Sequence, residues 1–588
     1  MPDDIAAADP TDTQPHLRRD LANRHIQLIA IGGAIGTGLF MGSGRTISLA
    51  GPAVMVVYGI IGFFVFFVLR AMGELLLSNL NYKSFVDFAA DLLGPAAGFF
   101  VGWSYWFAWV VTGIADLVAI TGYARFWWPG LPIWVPALVT VALILAVNLF
   151  SVRHFGELEF WFALIKVAAI VCLIAVGAIL VATNFVSPHG VHATIENLWN
   201  DNGFFPTGFL GVVSGFQIAF FAYIGVELVG TAAAETADPR RTLPRAINAV
   251  PLRVAVFYIG ALLAILAVVP WRQFASGESP FVTMFSLAGL AAAASVVNFV
   301  VVTAAASSAN SGFFSTGRML FGLADEGHAP AAFHQLNRGG VPAPALLLTA
   351  PLLLTSIPLL YAGRSVIGAF TLVTTVSSLL FMFVWAMIII SYLVYRRRHP
   401  QRHTDSVYKM PGGVVMCWAV LVFFAFVIWT LTTETETATA LAWFPLWFVL
   451  LAVGWLVTQR RQSRRSFGFH CQVVGVRQQL GRGMARLAMK IHARPKLRSA
   501  VVVEPVSAGE PGARRSAKSV RKLASDDSQS AHCPVAVVGL ADGGRDPQYH
   551  HDGPDRWWTR SGGRRLCPRP RRGRQHRRRA GHHRQVRL

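Results

Sequence analysis

The chain has 588 residues, of which 54% are hydrophobic and only 14% are charged, and its mean hydropathy is +0.48. Soluble domains carry about 25% charged residues, so this composition excludes that class and indicates a protein that crosses a membrane many times. The net charge of +22 does not imply a nucleic-acid partner, because residues 460–588 hold 30 Lys and Arg against 8 Asp and Glu while the remaining residues are neutral overall.

Residues 1–25 are polar, and no apolar stretch precedes Ile26. We therefore predict a cytoplasmic N-terminal segment without a cleavable signal peptide. Residues 26–458 contain twelve stretches near the length of about 20 apolar residues that crosses the hydrocarbon core. These predicted spans, numbered 1 to 12, centre on 26–48, 53–77, 96–122, 131–150, 157–183, 209–235, 250–270, 287–317, 343–362, 366–395, 412–432 and 443–458. Span 12 is short enough to lie tilted or at the interface, so eleven spans are the alternative.

The distribution of loop Lys and Arg predicts the orientation. With the N-terminus inside, the inner loops hold fifteen of these residues and the outer loops hold four. Because cytoplasmic loops are enriched in Lys and Arg, both termini are expected in the cytoplasm and the chain in the cytoplasmic (inner) membrane. The lipid bilayer is thus the first predicted partner.

Two spans contain glycine where a membrane helix would be continuous. Residues 32–38 in span 1 read GGAIGTG, and residues 220–227 in span 6 read FFAYIGVE. Glycine lets backbone groups come loose within the bilayer, which is tolerated only where they are buried in protein or line a cavity. Such paired interruptions indicate a transporter, and their spacing predicts an all-α fold with a five-plus-five inverted repeat, broken helices 1 and 6, and two appended spans.

The two breaks predict complementary binding groups. The start of a half-helix in span 1 would present free N–H groups to a carboxylate. Unwound carbonyls in span 6 would accept hydrogen bonds from an ammonium, so an α-amino acid is the expected ligand. The alternative is that the glycines only permit close helix packing. The predicted substrate-binding residues are Ile35, Gly36, Thr37, Gly38, Phe220, Ala222, Tyr223 and Gly225.

Two ionisable residues lie deep within predicted spans. Lys166 is nine residues into span 5, which corresponds to a depth of about 14 Å. Burial disfavours the charged amine, so we predict that Lys166 takes part in proton coupling. The alternative is a permanently charged group that binds loose carbonyls of span 1. Glu227 follows the span 6 break and is predicted to assist proton coupling, to accept the substrate amine, or to be protonated and structural.

Other polar residues carry weaker predictions. Ser307, Ser308 and Asn310 on span 8 could complete a polar lining, although serines in membrane helices more often bond to their own backbone or to a neighbouring helix. Four acids are expected near the cytoplasmic edge, in solvated or gate salt-bridge roles: Glu74, Asp87, Glu157 and Glu159.

Residues 459–588 differ from the hydrophobic body in composition. Arg, Gly, Ser, Pro and His dominate there, which predicts a disordered basic cytoplasmic tail that can rest against anionic lipid. An out-of-register reading of a GC-rich gene would give the same composition. The five cysteines have no metal-ligand spacing, so neither a metal nor any other cofactor is predicted.

Several stretches resemble the amino-acid permeases of the amino acid–polyamine–organocation superfamily. The opening of span 1, Arg24–Phe40, is similar to the family's opening signature, and the segments Glu235–Pro239 and Leu243–Ile247 resemble its loop after helix 6. Arg318–Leu320 also matches. Four further stretches resemble members that carry small neutral amino acids, including D-isomers: Arg70–Leu80, Val110–Asp116, Ala304–Gly312 and Ser391–Arg396.

The resemblance covers about residues 18–458 and implies proton-coupled import. It places the substrate carboxylate near Gly36–Gly38, the amine near Phe220–Gly225, and the ion-replacing lysine at Lys166. The expected substrates are D-alanine, D-serine and glycine, with D-cycloserine as a further one. The alternative within the class is a permease for aromatic amino acids or γ-aminobutyrate. A sensor that signals through the basic tail is a third hypothesis, whereas an enzyme is disfavoured because no nucleophile–base pair is present.

Overall fold

A computed structural model describes residues 35–150, 152–228, 230, 238–362 and 365–460. Four predicted regions therefore lie outside the described residues, wholly or in part. These are the N-terminal segment 1–25, the first nine residues of span 1, residues 229 and 231–237 at the end of span 6 and in the loop after it (with Glu235 and Thr236), and tail residues 461–588.

The described residues form helices, with one isolated bridge between Val186 and His192 and no longer strand. The first seven helices are α1 Thr37–Phe40, α2 Gly42–Ala50, α3 Val54–Ser78, α4 Phe85–Leu93, α5 Pro95–Ala124, α6 Trp134–Phe150 and α7 Val152–Ala182. Six more are α8 Gly208–Ala219, α9 Pro239–Asn248, α10 Val250–Arg253, α11 Ala261–Val268, α12 Pro280–Leu287 and α13 Ala291–Asp325. The last six are α14 Ala343–Leu353, α15 Ser356–Tyr361, α16 Val366–Arg398, α17 Pro400–Asp405, α18 Gly413–Thr430 and α19 Thr435–Arg460.

Shorter helical turns join several of these helices. A π-helical stretch connects α10 to α11. The 3-10 turns are Gly51–Ala53, Ile195–Leu198, Phe220–Tyr223, Trp271–Gln273 and Ala331–His334, and the π-helical stretch is Val254–Gly260.

Within the described residues, nine helical stretches are long and apolar enough to cross a membrane, and two shorter apolar helices accompany them. Predicted spans 1 and 2 both fall in the 42-residue stretch Thr37–Ser78, and spans 4 and 6 correspond to the shorter helices Trp134–Phe150 and Gly208–Tyr223. The all-helical, polytopic class predicted from the sequence is confirmed. The count of twelve spans stays a prediction.

Helix α5 lies at the centre of the bundle, where it packs against α13 and α16. In the most apolar 18-residue window of α5, 78% of the residues are buried inside the protein, whereas in that of α19 only 11% are buried. Helix α19 therefore presents its apolar surface to lipid. Small residues allow the central helices to approach closely. A Cβ atom at Gly312 of α13 would lie 2.5 Å from the Trp109 ring, and one at Gly113 would lie 2.6 Å from Leu353.

The amphipathic helix α4 begins with a capping box. The Ser84 hydroxyl accepts a hydrogen bond from the Val86 N–H, and the Asp87 carboxylate accepts one from the Ser84 N–H at 2.8 Å. Burial raises the pKa of Asp87, although the N–H groups of Ser84 and Lys83 act against this shift. Asp87 is thus a structural cap.

The C-terminal end of α3 is held by a buried carboxylate. Glu74 is fully buried and accepts hydrogen bonds from the Tyr392 hydroxyl and the Met410 N–H, each at 2.8 Å. Its other oxygen lies 2.6 Å from His403 Nδ1. One turn earlier, the Arg70 guanidinium lies 3.8 Å from the centre of the Tyr408 ring. Glu74 therefore fastens the segment between α16 and α18 onto α3, which corrects its predicted solvated role at the edge.

Replacing Glu74 should destabilise the protein. Glu74→Ala leaves three buried partners without their acceptor, and we expect a loss of about 2–4 kcal/mol in the free energy of unfolding. Thermal unfolding of the purified protein in detergent measures the effect. The matched control is Glu196→Ala, since Glu196 is exposed. Equal melting temperatures for the two variants would contradict this role of Glu74.

Candidate functional site

The chain leaves helical conformation after α8, where the sequence predicts a break. The 3-10 turn Phe220–Tyr223 follows α8 directly, and Ile224 is extended. Gly225 has a φ of 98°, which side-chain-bearing residues rarely adopt. Its N–H donates a 3.1 Å hydrogen bond to the Glu227 carboxylate, so the loosened backbone is partly satisfied by a side chain two residues ahead.

A second non-helical stretch lies at the start of α1. Ile35 and Gly36 are not helical, Gly36 is extended with φ −126° and ψ −162°, and the helix begins at Thr37. The N–H groups of a first turn have no acceptor within their own helix and carry partial positive charge. This geometry agrees with the predicted presentation of backbone donors at Gly36–Gly38.

The first turn of α1 is in direct contact with the turn Phe220–Tyr223. A Cβ atom built at Gly38 would lie 2.4 Å from Ala222 Cα and 2.7 Å from Ala222 N, closer than any side chain can approach. Only glycine at position 38 allows the two backbones to meet. The structure therefore brings together Gly36–Gly38 and Phe220–Gly225, the two groups of residues predicted to bind substrate.

Three buried tyrosines support the turn Phe220–Tyr223 from one side. The Tyr258 hydroxyl donates a 2.8 Å hydrogen bond to the Ala222 carbonyl, and the Tyr223 hydroxyl donates to the Tyr58 carbonyl. The rings of Tyr223 and Tyr258 stack with their centres 5.0 Å apart. Tyr223 thus acts as a support of the break. A carbonyl oxygen has two lone pairs, so Ala222 keeps one for a further donor.

Lys166 is buried at the middle of α7 and is linked to an acid through a serine. Its Nζ donates to Ser307 Oγ at 2.8 Å, and that hydroxyl donates to Glu159 Oε1 at 2.6 Å. Glu159 is fully buried, so the predicted solvated role at the cytoplasmic edge is wrong for this residue. The reason is helical periodicity: Glu159 precedes Lys166 by seven residues, two turns on the same face.

Asp116 is a buried acid that our sequence interpretation did not select. It lies in α5, is fully buried, and accepts a 2.6 Å hydrogen bond from the Thr37 hydroxyl at the start of α1. Within the described part of the chain, its second oxygen, Oδ2, has no hydrogen-bond partner. The available signal was a lone carboxylate in an apolar stretch, which is a functional candidate in a membrane helix.

The remaining predicted site residues have defined neighbours. Glu227 is fully buried and accepts a 3.3 Å hydrogen bond from Tyr105, and it forms no ion pair with the residues that the structure describes. Ser308 faces Gly36, where an added Cβ would lie 3.2 Å from its hydroxyl, and both residues stay partly exposed between buried neighbours. Asn310 instead accepts a 2.7 Å hydrogen bond from Asn148 of α6.

The arrangement combines backbone donors, backbone acceptors and titratable groups at one place inside the bundle. In the described part of the chain, no three His, Cys, Asp or Glu side chains are placed to hold a metal ion. The chemistry that these groups offer is recognition of a small charged solute and exchange of protons. These features define a membrane carrier.

The chain belongs to the amino acid permease family, whose family model matches residues 25–465. It is 60% identical to the D-serine/D-alanine/glycine transporter of Escherichia coli K12 over 459 residues, which cover 78% of this chain and 98% of that protein. Amino-acid permease AapA of Bacillus subtilis is 46% identical over 76% of this chain and 96% of its own length. The aromatic amino acid transport protein AroP of Salmonella typhimurium is 39% identical over 76% of this chain and 98% of its own length. The family and these relatives are transporters and not enzymes, as the sequence predicts.

Substitution of Gly38 should abolish transport. In Gly38→Ala the added methyl group would overlap Ala222, so α1 and the turn Phe220–Tyr223 must separate and uptake should fall to background. Uptake of radiolabelled amino acid by cells that express the variant measures this. The matched control is Gly322→Ala in α13, where no atom lies within 4 Å of the added Cβ. Normal uptake by Gly38→Ala at equal expression would show that the contact is dispensable.

Proposed function

We propose that the protein imports small neutral amino acids together with protons across the cytoplasmic membrane. The proposed substrates are D-alanine, D-serine and glycine, with D-cycloserine as a further one. The observation that carries the proposal is the backbone contact between Gly38, in the first turn of α1, and Ala222, in the 3-10 turn that precedes the extended residue Ile224. The 60% identity to a transporter named for three of these amino acids supports the substrate assignment.

The proposed binding mode uses both ends of a zwitterion. The carboxylate accepts hydrogen bonds from the N–H groups at Gly36–Gly38, and the ammonium donates to backbone carbonyls of Phe220–Gly225. Glycine and D-amino acids present the same two groups, so the backbone subsites alone do not discriminate between enantiomers. We further propose that this site lies between two inverted repeats of five helices each. The proposed fold has twelve membrane spans and both termini in the cytoplasm.

Lys166 and Glu227 are the proposed proton-coupling residues. The support for Lys166 is its burial and its link through Ser307 to Glu159, which gives a proton two places to reside. Glu227 touches the Gly225 N–H, so a change in its charge acts directly on the break. One proton crossing a potential of about 100 mV provides roughly 2.3 kcal/mol. That free energy sustains an accumulation of about forty-fold.

A second candidate is a permease for aromatic amino acids, because AroP is 39% identical over a similar part of the chain. The packing around the break favours the smaller substrates. Phe220 lies against Trp385 at 5.2 Å between ring centres, and Phe221 lies against Phe370 at 5.8 Å, so aromatic side chains of the protein already fill this region.

Uptake by the purified protein tests the proposal. We expect proteoliposomes to accumulate radiolabelled D-alanine when an inward pH gradient is imposed and only to equilibrate it without one. Excess unlabelled glycine and D-serine should compete, whereas phenylalanine and γ-aminobutyrate should not. Competition by phenylalanine alone would favour the second candidate. Accumulation without any ion gradient would contradict proton coupling.

Removal of the buried amine of Lys166 should abolish accumulation of the substrate without abolishing binding of the substrate. Lys166→Ala removes the amine and its hydrogen-bonded link through Ser307 to Glu159. We therefore expect the accumulation of substrate to fall by about forty-fold, until the internal and external concentrations are equal. The measurement is uptake in proteoliposomes with a pH gradient, compared with exchange of internal for external substrate. The matched control is Lys83→Ala, since Lys83 is exposed before α4. Gradient-driven uptake that survives Lys166→Ala would refute this role.

A further inference from the structure

We propose that Asp116 is a further group, besides Lys166 and Glu227, whose protonation is coupled to substrate binding, because its carboxylate is bonded to the start of α1 and has one buried oxygen that no described residue hydrogen-bonds. This inference rests on the proposed function and adds a residue to it. Neither the predicted site nor the family assignment singled out Asp116.

The geometry ties Asp116 to the proposed carboxylate subsite. Its Oδ1 accepts a 2.6 Å hydrogen bond from the hydroxyl of Thr37, the first residue of α1. Its Oδ2 is buried and has no hydrogen-bond partner among the residues that the structure describes. A buried carboxylate oxygen normally has a donor, so an unpaired one marks a position where a proton or a ligand group is expected. The hydroxyl of Ser308, which also faces Gly36, interacts with the Asp116 carboxylate as well.

The charges around Asp116 do not balance. Among the described titratable groups, Lys166 of α7 and Tyr123 of α5 itself interact electrostatically with it. Thr37 of α1 and Ser308 of α13 present hydroxyl groups to Asp116, and one turn earlier on α5 Thr112 meets Ser377 of α16 and Gly113 meets Leu353 of α14. Lys166 also interacts with Glu159, through Ser307. One cation therefore faces the carboxyl groups of both Asp116 and Glu159. One proton on Asp116 makes this set neutral.

A substrate carboxylate at Gly36–Gly38 would lie next to Asp116. Two carboxylates that share a site cannot both stay ionised without a large cost, so binding of the substrate favours the protonated form of Asp116. By linkage, protonation of Asp116 favours substrate binding by the same factor. Proton and substrate then enter the site together, which is the requirement for symport.

The test compares Asp116→Asn with the unmodified protein. Asparagine keeps a carbonyl acceptor for the Thr37 hydroxyl and resembles the protonated acid in shape and charge. Binding of radiolabelled D-alanine to the purified, full-length protein in detergent is measured from about pH 5.5 to about pH 8.5. We expect the affinity of the unmodified protein to fall about tenfold as the pH rises, and that of Asp116→Asn to stay constant within about twofold.

A transport measurement accompanies the binding series. In proteoliposomes, Asp116→Asn should exchange internal for external D-alanine but should not respond to a pH gradient. The matched control is Asp91→Asn at the end of α4, whose exposed carboxylate accepts a hydrogen bond from the Tyr82 hydroxyl. This control should keep the pH dependence and the gradient response.

The outcomes separate this inference from its alternatives. A variant that melts normally but binds no D-alanine at any pH would show that Asp116 holds the substrate ammonium, and would overturn the proposal. A variant that keeps the full pH dependence would show that Asp116 only positions Thr37, and would overturn it equally. If the unmodified protein itself binds no D-alanine, D-serine or glycine, then the proposed function fails and not the role of Asp116 within it.

Discussion

An amide group that leaves a helix inside the bilayer has no water to bind, and this constraint governs the centre of the molecule. The turn Phe220–Tyr223 and the residues after it satisfy the constraint with partners that lie far apart in the sequence. Tyr258 donates to the Ala222 carbonyl, and the Glu227 carboxylate accepts from the Gly225 N–H. Helix α1 meets this turn at Gly38. Because Gly38 has no side chain, its backbone can contact the backbone of Ala222.

The same constraint explains why polar side chains gather on α5, α7 and α13. Once backbone groups are loose, the helices around them must present donors and acceptors that lipid cannot supply. Thr37 is held by Asp116 of α5, and Lys166 of α7 is held by Ser307 of α13. Helix α13 also presents Ser308 to Gly36. A buried polar group without a partner is costly, so these connections fix the separation of the helices as well as their chemistry.

Much of this arrangement could be predicted from the sequence, because glycine and isolated charges are strong signals in an apolar chain. The interruption at Phe220–Gly225 and the burial of Lys166 follow from such signals. The pairing of Lys166 with Glu159 was missed, since the depth of a residue near a helix end depends on where the helix begins. Asp116 was missed although it is a lone carboxylate in an apolar stretch, and its hydrogen bond to Thr37 joins residues 79 positions apart, which no local pattern encodes.

The contrast between Glu74 of α3 and Asp116 of α5 shows how two buried carboxylates in one bundle can serve different purposes. Glu74 is surrounded by donors from Tyr392, Met410 and His403, so both of its oxygens are satisfied and the contact is structural. Asp116 has one satisfied oxygen and one without a partner, beside the partly exposed residues Gly36 and Ser308. A fully satisfied network favours a single arrangement, whereas an incomplete one leaves a position that a ligand or a proton can fill. Asp116 and Glu74 are both buried, so burial does not distinguish them. The oxygen of Asp116 that lacks a described hydrogen-bond partner makes it suited to transport, whereas the fully bonded Glu74 is suited to stabilising the fold.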